Sequence, residues 1–110
     1  MEYTVTEQED LIIVALSGDV DLKYSPDLRE ILLDAAGKAG GIVVDMSGVM
    51  MIDSSGVASL LEAFQMARKR GKGFSLASVG SSVNKVLNLA RLETVFDIYD
   101  DVETARRAIA

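Results

Sequence analysis

Short apolar runs rich in β-branched residues alternate along this chain with segments whose apolar residues recur at helical spacing, and this alternation restricts the fold more than any other feature. Strands that alternate with helices form a parallel sheet through right-handed crossovers. The first unit is different. Tyr3 and Val5 alternate with Thr4 and Thr6, as a half-buried strand requires. The polar turn at residues 7–10 then leads into residues 11–16, apolar throughout and suited to a central strand. So short a connection predicts an antiparallel hairpin, which Ser17-Gly18 ends.

Ser25-Pro26 reads as a helix start, with Ser as N-cap and Pro at the first helical position. Leu28, Ile31, Leu32, Ala35 and Ala39 share one face of that helix, and Gly40-Gly41 stops it. Residues 42–44 predict a short buried strand, and residues 45–52 a loop. A second helix carries Val57, Leu60, Leu61, Phe64 and Ala67, and closes on Arg68-Lys69-Arg70-Gly71, where cations suit the helix dipole. Phe74 and Leu76 mark a fourth strand. Ser81-Ser82 cap a helix with Val83, Val86, Leu87 and Ala90, residues 95–98 form the last strand, and Asp100-Asp101 cap a last helix with Val102, Ala105 and Ile109. The expectation is an α/β fold in the order ββαβαβαβα: a mixed, mostly parallel five-stranded sheet with four helices, in one domain spanning residues 1–110.

The chain has neither cysteine nor histidine. Disulfides, zinc-thiolate sites, cysteine nucleophiles and Ser-His-Asp triads are therefore excluded together. A net charge of −6 disfavours nucleic acid as a partner. The N-terminus lacks a basic segment before an apolar core, and no apolar run approaches a membrane span, so a cytoplasmic location is expected.

The chemistry-bearing stretch is Asp53-Ser54-Ser55-Gly56, where a loop runs into a helix. N–H groups at such a terminus favour negative charge, and a serine there is exposed and tolerates phosphate. Gly56 leaves the first turn bare, so that a partner can come close. The run from Val43 through Gly48-Val49 to Met51-Ile52-Asp53-Ser54-Ser55-Gly56-Val57 resembles the STAS-domain signature of bacterial anti-sigma-factor antagonists. Gly18-Asp19-Val20-Asp21 is similar to that family's segment after the second strand, and Val83 to Phe96 resemble its third helix and last strand.

The resemblance implies a regulatory role without catalysis or cofactor. Ser54 falls on the family's phosphoacceptor and Asp21 on its nearby acidic residue. The implied partner surface comprises Asp19, Asp21, Asp53, Ser54, Ser55 and Gly56. The implied partners are an anti-sigma factor with GHKL-type serine kinase activity, which phosphorylates and so releases the antagonist, and a PP2C-type phosphatase that resets it. A monomer is expected. The family also includes subunits of ABC-type lipid transporters and stressosome-type scaffold components, and the serine loop does not separate these roles.

Other readings are weaker. A serine catalyst lacks a base, since there is no histidine and no Ser-x-x-Lys pattern around Ser54 or Ser55. A receiver domain with Asp45 as acceptor conflicts with the opening hairpin and with Asp100-Asp101 where a lysine is needed. Asp19, Asp21 and Asp53 lack a diagnostic metal spacing and are expected to be metal-free. Arg68, Lys69, Arg70 and Lys72 read as a solvated helix end. Met46, Met50 and Met51 suit core filling or a recognition surface equally.

Overall fold

The computed structural model describes residues 1–109. Its elements follow the expected order: β1 (Glu2–Gln8), β2 (Leu11–Val20), α1 (Ser25–Lys38), β3 (Gly41–Ile52), α2 (Ser54–Lys69), β4 (Gly73–Ala77), α3 (Ser81–Leu89), a 3-10 turn at Leu92–Thr94, β5 (Asp97–Tyr99) and α4 (Val102–Ile109). The strands lie side by side in sequence order. β1 and β2 are antiparallel, and every other pair is parallel.

Each right-handed crossover advances one strand in the same direction, so successive connecting helices fall on one face of the sheet. α1, α2 and α3 accordingly share a core with Val14, Leu16, Ile42, Val44, Met46 and Leu76. α4 packs alone on the opposite face, where Ala105 meets Val43 and Ala77. Phe64, Phe74 and Phe96 meet beneath α2, with Phe64 edge-on to both others at centroid distances of 6.0 and 5.5 Å. No described helix is long and apolar enough to cross a membrane.

Several local expectations are corrected. β1 is exposed along its whole length, with Tyr3 at 52% and Val5 at 49%, because no helix reaches over the edge strand. β2 does not end at Ser17-Gly18, and residues 45–52 are strand rather than loop. The two continue as a pair through Ser17↔Gly48, Gly18↔Val49, Asp19↔Met51 and Val20↔Ile52, with two register shifts. Gly48 serves packing here: a Cβ would lie 2.8 Å from Ser17 Cβ and 2.9 Å from the Leu16 carbonyl oxygen.

Ser25 is not a cap. It is the buried first residue of α1, while Tyr24 holds the cap position without a side-chain bond. Gly80, not a serine, precedes α3. Val95 and Phe96 precede β5 instead of forming it. Asp101 does cap α4, accepting the Thr104 N–H at 2.7 Å.

Candidate functional site

The extended β2–β3 pair carries the serine loop past the rest of the sheet. β4 has its last partner at Asp45, and β1 its last partner at Ser17. Beyond Asp45 β3 runs seven more residues to Ile52, the last four of them in the stretch paired with β2 alone, and Asp53 turns the chain into α2. The turn is fixed to β2 because Asp53 N–H donates to the Val20 carbonyl at 3.1 Å.

Asp53, not a serine, is the N-cap of α2. Its Oδ1 accepts the N–H groups of Ser55 and Gly56, both at 3.0 Å, and the Ser55 hydroxyl at 2.6 Å. Its Oδ2 accepts the Leu22 N–H at 3.1 Å, which ties the β2–α1 loop to the helix terminus. These donors hold the Asp53 carboxyl below its ordinary range: the Ser55 hydroxyl acts most strongly, followed by the Gly56 N–H, while partial burial opposes them and the Ser55 and Leu22 N–H groups add further lowering. The positive helix terminus is thus already occupied by a carboxylate.

Ser54 is the first residue of α2 and is exposed. Among the described residues its hydroxyl has no hydrogen-bond partner. Ser55 is half-buried. One turn later, the buried Ser59 hydroxyl lies 3.0 Å from the Ser25 carbonyl and 3.1 Å from the Ser55 carbonyl, shares its single proton between them, and so joins α1 to α2 below the site.

Asp19 is exposed on β2 opposite Met51, and Asp21 lies just past the last β2–β3 pair. Asp21 organises its own loop: Oδ1 accepts the Lys23 N–H at 3.1 Å, and its carbonyl accepts from Tyr24 and Ser25. The site therefore gathers Asp21, Asp53, Ser54 and Ser55 around one turn, with Asp19 a strand step away. Among the described residues no group of three or more possible ligands is placed to hold a metal ion.

Gly56 departs from the expectation of an open approach. It is buried, and a Cβ there would lie 2.7 Å from Ile52 Cγ1, 2.9 Å from Val20 Cγ1 and 3.0 Å from the Val20 carbonyl oxygen. Its bareness seats α2 on its own sheet. The methionines divide: Met46 is fully buried, whereas Met50 is 74% and Met51 45% exposed beside the serine loop. Leu22, 72% exposed, is the residue that sequence reasoning missed. An apolar side chain in a polar turn was the available signal.

The basic run sits at the far end of α2. Arg68 to Arg70 are exposed, but the Lys72 ammonium donates to the Ala36 carbonyl and closes the end of α1.

The STAS domain model matches residues 2–105. The anti-sigma-B factor antagonist of Bacillus subtilis is 26% identical over 94 residues, covering 86% of each chain. The intermembrane phospholipid transport system binding protein MlaB of Escherichia coli is 34% identical over 79 residues, covering 72% of this chain and 76% of that protein. The solved structure of an anti-sigma factor antagonist from Mycobacterium paratuberculosis superposes with a TM-score of 0.88 at 22% identity, covering 98% of this chain and 92% of that one. A match through residues 2–105, over strands and helices in this order, makes the chain a member of the STAS domain family.

Proposed function

We propose that this chain is an anti-sigma-factor antagonist that binds an anti-sigma factor with GHKL-type serine kinase activity and is released when Ser54 is phosphorylated. The observation that carries this reading is the free, exposed Ser54 hydroxyl at the head of α2, next to Asp53, with Met50 and Met51 exposed on the strand before it and Leu22 exposed on the loop tied to Asp53. Apolar side chains with acidic neighbours form a surface for a partner that is itself apolar and basic. Similarity to the Bacillus subtilis antagonist supports the same role. A PP2C-type phosphatase would reset the switch, and the unbound chain would be a cytoplasmic monomer.

Release follows from electrostatics at the interface. Phosphate adds about −1.5 to −2 charge. Asp53 already occupies the helix-terminal N–H groups, so the dipole offers that charge little compensation. In the free chain water solvates it. In a closed interface the dianion would be desolvated beside a carboxylate, which costs several kcal/mol. A loss of at least roughly a hundredfold in affinity is expected, since about 1.4 kcal/mol is already tenfold.

Titration calorimetry against the anti-sigma factor kinase of the same host tests this. Wild type and Ser54→Ala should bind tightly, and the phosphoprotein and Ser54→Asp weakly. Equal binding by all four would sink the switch. The second reading, a subunit of an ABC-type lipid transporter, rests on the 34% identity to the Escherichia coli transport protein. Tight binding to a transporter ATPase that is indifferent to Ser54→Asp would favour it.

A further inference from the structure

The two adjacent serines offer the same hydroxyl to a kinase, yet the fold treats them differently. Ser54 is exposed with its hydroxyl free, while Ser55 is half-buried and donates to Asp53 Oδ1 at 2.6 Å. One step along a helix turns a side chain by about 100°, which takes Ser55 away from the outer side of the turn. We infer that Asp53 is a positioning residue that selects the phosphoacceptor: it locks the Ser55 hydroxyl and leaves Ser54 as the one open to modification. The inference rests on the switch proposed above and names what sets its site.

Phosphoryl transfer forms a bond from the serine Oγ to the γ-phosphorus of a nucleoside triphosphate held by the kinase. The bond from that phosphorus to the β,γ-bridging oxygen breaks, and the nucleoside diphosphate leaves with the electron pair. The hydroxyl proton passes to a base on the kinase. The acceptor hydroxyl must therefore reach the nucleotide and turn its proton toward that base.

Ser54 meets both conditions. At Ser55 the proton points at Asp53, whose Oδ1 also takes the N–H groups of Ser55 and Gly56. Asp53 cannot swing aside easily, because Leu22 N–H holds the other oxygen at 3.1 Å. Nor can it serve as the base for Ser55: three donors occupy Oδ1, and a carboxyl held below its ordinary range takes a proton poorly. The Ser59 hydroxyl, within hydrogen-bond distance of both the Ser55 and Ser25 carbonyls, keeps this turn seated on α1. Phosphate on Ser55 would replace a hydrogen bond to Asp53 by repulsion from it.

The test is the position of phosphate, mapped by tandem mass spectrometry on chain recovered from its host. Wild type should carry it on Ser54. Ser54→Ala should carry none. The double variant Ser54→Ala/Asp53→Ala should carry it on Ser55. A second measurement needs neither kinase nor variant: the Ser55 hydroxyl proton should exchange slowly with water by NMR in the wild type. Exchange of that proton at the solvent rate overturns the lock, as does phosphate on Ser55 with Asp53 intact or its absence from Ser55 in the folded Asp53→Ala double variant. All three leave the switch standing. Phosphate on neither serine in the wild type removes the switch, and the selection with it.

Discussion

Up to the level of Asp45 and Ala77 the sheet is as many as five strands wide, whereas above Ser17 and Gly48 only β2 and β3 continue as a pair. In the wide part Ile42, Val43, Val44 and Leu76 have no exposure at all, because helices cover both faces. In the narrow part only one side of the ribbon is buried, through Val20, Val49 and Ile52, while Met50 and Met51 face water. One continuous strand, β3, thus passes from a region that holds the fold together into one that presents a surface. The contrast teaches where substitutions should cost stability and where they should cost recognition.

Leu76→Ala should show the largest loss of stability. Leu76 lies wholly buried in the central parallel strands, and deleting its branch should cost about 2–5 kcal/mol. Urea unfolding measures it. A loss below about 1 kcal/mol would mean that the wide part of the sheet is not the stabilising half. Gly56→Ala should come next. Its Cβ would enter the space of Ile52 and Val20, 2.7 and 2.9 Å from their γ-carbons, and overpacking of this kind costs about 1–3 kcal/mol. Ala favours helix over Gly, so a stabilised variant would show that α2 does not sit tightly on the ribbon.

The cap at Asp53 should have a smaller effect, with a defined pH window. Its folded carboxyl is depressed, chiefly by the Ser55 hydroxyl and then the Gly56 N–H. A depressed carboxyl contributes stability that is present above its unfolded value, about 3.9, and lost as pH falls through the folded value. Wild type should therefore exceed Asp53→Ala in stability at pH 7, and the gap should narrow as pH drops below about 4. Denaturant midpoints for the two proteins at pH 7 and at acid pH check this. A gap that widens on acidification would contradict the cap.

The order of strands and helices was legible because it rests on local periodicity, which residues 11–16 and the Val57 to Ala67 stripe display strongly. Residues 45–52 were not. Ser47 and Gly48 favour turns locally, and their strand state comes from pairing with β2, a partner some thirty residues distant that no window can see. Ser25 and Ser81 show the same limit: each has cap chemistry, yet the neighbouring Tyr24 and Gly80 take the cap positions. At the proposed site, Asp53 and Ser54 stood out in the sequence by their motif. The Asp53 cap did not, since Ser, Asp and Asn cap equally well and three candidates stood in a row. For Leu22 the apolar side chain in a polar turn was legible, but its tie to Asp53 was not, since it runs through the backbone N–H, a group that every residue except proline carries.

Met50 sets the sharpest test of the contrast between the two parts of the sheet, because there the expected effect on stability is the smallest. Met50 lies on the same strand as Val44 but is 74% exposed, whereas Val44 is fully buried. An exposed side chain away from caps and cores changes stability by no more than about 0.5 kcal/mol, so Met50→Ser should unfold as the wild type does. Binding should respond differently. Methionine is flexible and polarisable, and an exposed one on the strand that leads to the serine loop contributes apolar area that only a partner can bury. At about 25 cal/mol per Å², loss of a buried methionine side chain amounts to about 1.5–3 kcal/mol, which corresponds to roughly tenfold or more in affinity. The expected pattern is an unchanged urea midpoint with affinity for the proposed anti-sigma factor partner lowered at least tenfold by calorimetry. Unchanged affinity would place the interface elsewhere than the ribbon. A lowered midpoint would make the ribbon part of the stabilising half, and the division between the wide and narrow parts of the sheet would fail.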